Sequence, residues 1–421
     1  MSGSTIQHLP AVVMGGGVTG LGALRSLRLA GIPAYVACPP HDLATRSRWY
    51  RPVPGATDWD GNVGPETMGV LRSLPLEQAV LIPCMDDAAI WASDLPKTEL
   101  GQRFLVSSSP RRTLETLQDK AEFAVFLNGT DIPHPRTFPL RSLADIDTLP
   151  FDEFDRMFLK PVNSQKFNQT TGRKALWAES RNEAARLWQQ LQTYGLDVMA
   201  QEYVPGSPTE HYFLDGFRDR HGTVTGLLAR RRLRIYPRDF GNSSYSQSIP
   251  LTEIAPAEAH LRELLSKLDY RGIFSAEFKR DARDGQFRIL EVNIRVWWYV
   301  EFAARCGINV CQMAYDDARG EPVTAASRHY PVGAGCINFP GDIKTVLRSR
   351  RREHGPWWRI VGQWSRAHFL AFRPNDPLPG IFASAISIRQ VWRRTVGKRP
   401  PADSRPPVHH PSANDASRGP P

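Results

Sequence analysis

Two glutamates, Glu277 and Glu291, are the residues of this 421-residue chain whose type and spacing point most directly to chemistry. They lie in Phe274–Arg295, FSAEFKRDARDGQFRILEVNIR. The pattern predicts two strands, because successive side chains on a strand point to opposite faces. Ser275, Glu277 and Lys279 then share one face of the first strand. Glu291, Asn293 and Arg295 share one face of the second, with Leu290 and Val292 on the other. Asp284-Gly285 is a hairpin-turn signal. Position 284 is the midpoint between the glutamates, so their carboxylates face each other with Cβ atoms about 5 Å apart. Like charges at that distance repel, and on an otherwise apolar hairpin they are costly. A hard divalent cation removes the cost. Mg²⁺ accepts carboxylate and amide oxygens and keeps positions open for phosphate oxygens. The plain alternative is a charged hairpin face in water, since period-two charge on a solvated sheet is common.

Other candidates are spread along the chain. Lys120 and Lys160 stand 40 residues apart. Lys160 ends the apolar run Met157-Phe158-Leu159 and precedes a polar loop, Val162–Gly172. An ammonium there reaches phosphate oxygens as a point charge, although each lysine alone is most often solvated. Gln201-Glu202-Tyr203-Val204 is a strand running into the breaker Pro205-Gly206. Its exposed backbone end can hydrogen-bond an adenine edge, and the Glu210 carboxylate that follows suits ribose hydroxyls. An edge strand with ordinary surface acids is the alternative. Arg230, Arg231, Arg232 and Arg234 precede YPRDFGNSS, Tyr236–Ser244. An arginine cluster ending a strand before a Gly-containing turn can hold a carboxylate or phosphate by paired hydrogen bonds. A solvated basic patch accounts for it equally well.

The elements that must position these residues begin with a βαβ pattern. Ala11–Met14 is an apolar run, GGGVTGLG follows at Gly15–Gly22, and Leu21, Leu24 and Leu27 continue at near-helical spacing. Gly31 closes the helix, and Ala34–Ala37 is a second strand. Gly15, Gly17 and Gly20 match G-x-G-x-x-G, the turn that lets backbone approach a pyrophosphate. The acid that should end the second strand to bind ribose is absent; Asp42 comes four residues late. Further strands at Ala79–Pro83 and Phe104–Val106, with a helix opening at Asp86-Asp87, imply a doubly wound α/β domain over 1–110. A helix from Ser109-Pro110 carries Leu114, Leu117 and then Lys120. Residues 111–340 read as α+β, with a mobile subdomain over about 136–205, a hairpin at Glu210–Phe217 and Thr223–Arg231, and an amphipathic helix at Pro256–Leu268. A basic, Trp-containing segment follows at 341–397. From Lys398 the chain is polar and Pro-rich, which predicts disorder.

Composition narrows the function class. Five scattered cysteines without a CxxC pair argue for a reducing cytosol and against disulfides or structural zinc. The N-terminus lacks a signal-peptide pattern, and no apolar run is long enough to span a membrane. The net charge of +10 is confined to one end: from Gly341 onward there are 15 Lys+Arg and 5 Asp+Glu, and the rest of the chain balances to zero. A nucleic-acid partner is therefore not expected. Basic residues with interfacial Trp over 349–399 suit peripheral contact with the inner membrane surface. The expected location is cytoplasmic, with that contact as an addition. Oligomeric state is left open.

Lys120, Lys160-Pro161 with its loop, Gln201–Val204 with Glu210, and the set Glu277, Glu291, Asn293 together resemble the ATP-grasp superfamily. The resemblance runs from about Gly15 to Ile308. It covers the opening domain, which is similar to the pre-ATP-grasp domain and explains a Gly-rich turn without NAD. YPRDFGNSS and the later Asp376-Pro-Leu-Pro resemble a subset similar to D-aspartate ligases. The resemblance implies that Lys120 and Lys160 hold ATP phosphates, that Glu202 and Val204 contact adenine beside Gln201 and Tyr203, and that Glu210 meets the ribose. It implies one or two Mg²⁺ ions, or Mn²⁺, on Glu277, Glu291 and Asn293, with Arg295 stabilising the γ-phosphate; the arginine cluster, Arg232 in particular, is expected separately to anchor a substrate carboxylate. The implied reaction is attack of a carboxylate on ATP to give an acyl phosphate, then displacement of phosphate by an amine, with an amino acid as one substrate. The loop after Lys160 departs from the pattern: it should be glycine-rich, and only Gly172 is present. Two rival readings are an NAD(P)-dependent oxidoreductase using Gly15–Gly20, and a membrane-surface adaptor with a degenerate ATP site.

Overall fold

In a computed structural model of the chain, residues 9–154, 156–162, 164–237, 241–348 and 354–386 are described. The middle of YPRDFGNSS, the arginine run at 350–352 and the tail from 387 lie outside them.

Three sheets carry the structure. The first is parallel, in the order β2-β1-β3-β4, from β1 (Ala11–Met14), β2 (Ala34–Ala37), β3 (Ala79–Pro83) and β4 (Phe104–Leu105). Its central strands are apolar on both faces because helices such as Gly17–Leu29 cover them. The expected doubly wound domain is thus present. The second sheet is antiparallel, β5-β8-β6-β7, from β5 (Thr137–Pro139), β6 (Met157–Pro161), β7 (Leu176–Ala178) and β8 (Val198–Glu202). The helix Arg181–Gln192, capped by the Ser180 side chain, contributes Ala184 and Leu191 to the core under that sheet.

The third sheet has seven strands in the order β13-β12-β9-β10-β11-β14-β15. They are β9 (His211–Arg218), β10 (Val224–Tyr236), β11 (Asn242–Ile249), β12 (Gly272–Arg280), β13 (Phe287–Asn293), β14 (Gly335–Ile337) and β15 (His368–Phe369). All pairs are antiparallel except β14–β15. The C-terminal segment packs on this sheet, supplying β15 and the helices Phe339–Arg348 and Trp357–Arg366. No described helix is long and apolar enough to cross a membrane. All five cysteines are free and buried.

Several expectations need correction. The polar stretch after Lys160 is not a loop: Ser164–Thr171 is helical. Phe167 is fully buried in the second core and pins it, Thr170 and Thr171 hydrogen-bond back one turn, and Gly172 ends it at φ 66°. The helix expected to run from Pro110 through Lys120 breaks at Asp119, whose carboxylate caps a second helix beginning at Lys120. The 284–285 turn is a six-residue loop between Arg280 and Phe287. Strand β13 stops at Asn293, so Arg295 is not on it. Finally, β10 runs to Tyr236, which puts the arginine cluster in mid-strand rather than at its end.

The C-terminal segment is tied to the first domain by a buried ion cluster. The Arg25 guanidinium donates to Asp376 Oδ2 at 2.8 Å and lies 3.3 Å from Glu301 Oε2. Asp376 also accepts from Ser47 Oγ at 2.8 Å and the Arg48 N–H at 2.9 Å. Removing one partner of a buried pair leaves an uncompensated charge. Asp376→Ala should therefore cost about 3–5 kcal/mol in urea unfolding. Asp94→Ala, which removes the exposed pairs to Lys97 and Arg111, should cost no more than about 1 kcal/mol.

Candidate active site

Glu277 on β12 stands directly opposite Glu291 on β13, and Ser275 opposite Asn293. Beyond that point the register shifts: Phe278 pairs with Ile289, leaving Leu290 as an extra residue. The bulge brings the two glutamates into register. Glu277 Oε1 accepts from His211 Nδ1 at 2.8 Å and from Arg232 Nη2 at 3.1 Å. Both donors use the same oxygen, so Oε2 remains free of them. Burial alone would push the Glu277 carboxyl up, but the Arg232 charge and the His211 hydrogen bond outweigh it and hold it well below the usual carboxylate range.

Period-two alternation across three strands builds one polar face. His211, Phe213 and Asp215 line it from β9, Arg230 and Arg232 from β10, and Ser275, Glu277 and Lys279 from β12. Asp215 receives Arg230 Nε at 2.5 Å and Ser275 Oγ at 2.6 Å. Arg232 Nε donates to Ser243 Oγ at 3.0 Å. Arg234 is held by both oxygens of Asp342, and Arg231 points the other way, to Glu210 at 2.5 Å. The arginines are thus not a solvated patch: Arg230, Arg232 and Arg234 are buried, and all four are paired.

Lysines from the second sheet close over the carboxylates. Burial lowers the Lys160 ammonium; attraction to Glu291 opposes the shift and repulsion from Lys120 adds to it. Lys174, which precedes β7, is also lowered by burial and is attracted by Glu291 and Glu277. Lys279 lies 4.0 Å from the Tyr203 ring centroid, and burial with repulsion from Arg232 brings it down to about 8. At the strand end, the Glu202 and Tyr203 N–H groups donate to the Arg136 and Arg156 carbonyls. The Val204 N–H donates to nothing among the described residues. The Gln201 side chain is bonded to Thr137 at 2.7 Å. The Glu202 carboxylate takes the Arg136 N–H at 3.2 Å and faces Arg283. The Glu210 carboxylate also accepts from Tyr212 at 3.2 Å. Arg295 Nε lies 3.0 Å from Asp86 Oδ2, at the start of the helix after β3.

The donor set fits a hard cation. Glu277, Glu291 and Asn293 offer only oxygen and sit on facing strands, and Asn293 turns its Nδ2 toward Glu291 at 3.5 Å, leaving Oδ1 for an ion. Among the described residues no three His, Cys, Asp or Glu side chains form a ready cage. Two carboxylates and an amide leave coordination positions for phosphate oxygens, as Mg²⁺ sites require. The Gly-rich turn near the N-terminus has a different occupant: Asp42 accepts the Gly17 N–H through both oxygens, at 2.7 and 2.9 Å. A side chain at Gly16 would meet that carboxylate at 2.4 Å. The protein's own anion thus stands where a pyrophosphate would need the helix N-terminus.

His211, Asp215 and Lys174 were not legible as site residues. Alternation in His211–Phe217 marks which of its side chains share a face, but nothing local says that this face is the one β12 presents. The His211 ring offers a direct check. Burial and repulsion from Arg232 lower it to about 4 against the pull of Glu277. The neutral ring favours the folded state, so this contribution is in place above the unfolded value of 6.5 and is lost as pH falls through about 4. NMR titration of the His211 ring should show a midpoint near 4, and Arg232→Met should raise it.

No protein-family model matches the chain. It is 26% identical over 248 residues to a D-aspartate ligase of Enterococcus faecium (strain Aus0004), covering 56% of this chain and 58% of that protein. The matched region thus spans somewhat over half of that relative's length. Among solved structures, N5-carboxyaminoimidazole ribonucleotide synthetase from Thermus thermophilus aligns with a TM-score of 0.54 at 18% identity, over 75% of this chain and 80% of that one. The biotin carboxylase domain of Hydrogenobacter thermophilus 2-oxoglutarate carboxylase, solved with MgADP and bicarbonate, aligns with a TM-score of 0.59 at 15% identity, over 77% and 73%. The chain thus has the ATP-grasp fold, and over part of its length its sequence is similar to that of a D-aspartate ligase.

Proposed function

We propose that the protein is an ATP- and Mg²⁺-dependent carboxylate–amine ligase that forms an amide through an acyl phosphate, with an amino acid as one substrate. The observation that carries this reading is the facing pair Glu277–Glu291 beside Asn293, ringed by Lys160, Lys174 and Arg232. Two carboxylates beside a buried arginine and two lysines form a site with room for further negative charge. A triphosphate with its metal supplies that charge. The D-aspartate ligase relative supports an amino acid on one side of the bond.

In this reading Lys120, Lys160 and Lys174 hold the phosphates. The Val204 N–H meets the adenine beside Glu202, Tyr203 and Lys279. Glu210, with lone pairs left after Arg231 and Tyr212, accepts from the ribose. Glu277, Glu291 and Asn293 hold one or two Mg²⁺ ions, and Mn²⁺ suits the same donors. The metal supplies charge neutralisation for the β- and γ-phosphate oxygens. Arg232 fixes Glu277 and offers its remaining N–H groups to a substrate carboxylate. Arg295, braced by Asp86, reaches toward the transferred phosphoryl group. A substrate carboxylate attacks the γ-phosphorus and ADP leaves. The amine then attacks the acyl carbon, loses a proton, and expels inorganic phosphate. Preorganised cations stabilise charge as it builds on the phosphoryl oxygens. The second reading, NAD(P) binding at the Gly-rich turn, gains no support from a turn capped by Asp42.

Phosphate release from MgATP should depend on an acid–amine pair drawn from a panel of amino acids and carboxylates. It should fall about 100-fold or more in Glu291→Ala. Turnover that survives this substitution, or a chain that binds no nucleotide, would refute the reading. Lys174→Met should raise the KM for MgATP about tenfold. Lys166→Met, whose ammonium donates to the Gly195 carbonyl at 2.7 Å, should change it by less than about twofold.

A further inference from the structure

Exposed apolar surface is concentrated at one end of the protein. Eight of the fourteen large hydrophobic side chains exposed among the described residues fall between 347 and 386. The helix Trp357–Arg366 carries the most prominent of them. Trp357 and Trp358 are 71% and 64% exposed, and Val361 lies one turn on, also exposed. The helix does not need this face for its own packing. Its opposite side holds buried Ile360, Gln363 bonded to Arg234 at 2.5 Å, and Trp364 Nε1 bonded to Asp342 at 2.7 Å. The tryptophans are therefore held outward on an anchored helix.

Among the described residues of this segment, the exposed charge has one sign. Arg359 and Arg366 are exposed on the same helix, and Arg348 is exposed at the end of the preceding one. Asp342 and Asp376 are the acids in the described parts of this segment, and both are buried in ion pairs, with Arg234 and Arg25. What the helix Trp357–Arg366 shows to solvent is thus tryptophan, valine, serine and arginine. Tryptophan is enriched where water meets lipid, and cations beside it are drawn to anionic headgroups. The two indole rings lie 84° apart, so they cannot stack on successive bases as a single-strand binder requires. A symmetric contact with a second copy would bring these arginines together without an acid to answer them.

We propose that the outward face of the helix Trp357–Arg366 docks the protein on an anionic lipid surface. The ligase reading is not needed for this. The test is co-sedimentation of the full chain with vesicles of phosphatidylglycerol and phosphatidylcholine, against phosphatidylcholine alone, at physiological salt. The chain should partition at least tenfold more strongly onto the anionic vesicles, with a blue shift of tryptophan emission. Trp357→Ser/Trp358→Ser and, separately, Arg359→Glu/Arg366→Glu should each reduce that partition about tenfold while leaving the thermal melt unchanged. The tail from 387 is intact in both variants, so unchanged partition in both would place any lipid binding there and overturn the proposal. Loss with the arginine pair alone, or equal binding of a single-stranded RNA that depends on the tryptophans, would also overturn it. So would a wild-type dimer that the tryptophan variant splits and that does not bind vesicles.

Discussion

Two carboxylates set side by side across a pair of β-strands are an unstable arrangement, and much of this structure answers that fact. Glu277 and Glu291 occupy directly opposed positions, where like charges destabilise a sheet. The protein does not hold Glu277 with a single counter-ion. A neutral imidazole and a buried guanidinium bind one of its oxygens, while lysines from another sheet supply charge from above. In the proposed function this positive charge would receive the triphosphate, and the oxygen-only donor set would suit a hard metal ion.

Holding several arginines in the interior of a sheet requires a partner for each. Asp215 takes Arg230, Glu277 takes Arg232 and Asp342 takes Arg234, so every second residue along this part of β10 is matched by an acid from another element. Such pairs stabilise the fold less than apolar packing of the same volume would, yet breaking one is expensive. Their effect here is positional. Asp342 belongs to the C-terminal segment and also accepts from Trp364, so the same carboxylate that fixes Arg234 also fixes the helix Trp357–Arg366. Arg25, Glu301 and Asp376 similarly join the first domain, the central region and the C-terminal segment. The basic end of the chain is thus tied to the body by Asp342 and Asp376, while Arg348, Arg359 and Arg366 face solvent.

Two local features that depart from familiar patterns have physical causes in this chain. The stretch after Lys160 lacks glycine and carries Phe167, whose burial in the second core favours a short helix over an open loop. The opening Gly-rich turn has the backbone geometry for an anion, and Asp42 supplies that anion from within. Each is a case in which one side chain decides what an otherwise familiar backbone can do.

Local pattern was enough to find the hairpin, its two glutamates and the strand ending in Lys160, because alternation and turn residues act over a few positions. It was also enough for the parallel opening domain, whose strands are apolar runs bounded by Gly and Pro. The facing of Glu277 and Glu291 followed from a midpoint, although the actual connection is a longer loop offset by a bulge at Leu290. Sequence could not place His211, Asp215 or Lys174 in the site, because their relation to Glu277 arises from neighbouring strands and a separate sheet. Nor could it tell that Arg230, Arg232 and Arg234 are buried while Arg231 turns away, since that depends on β10 continuing to Tyr236. The residue types and their short-range spacing determined which chemistry is available. Tertiary structure decided which charges meet, because the pairing of distant strands sets the distances over which a carboxylate and a guanidinium can balance each other.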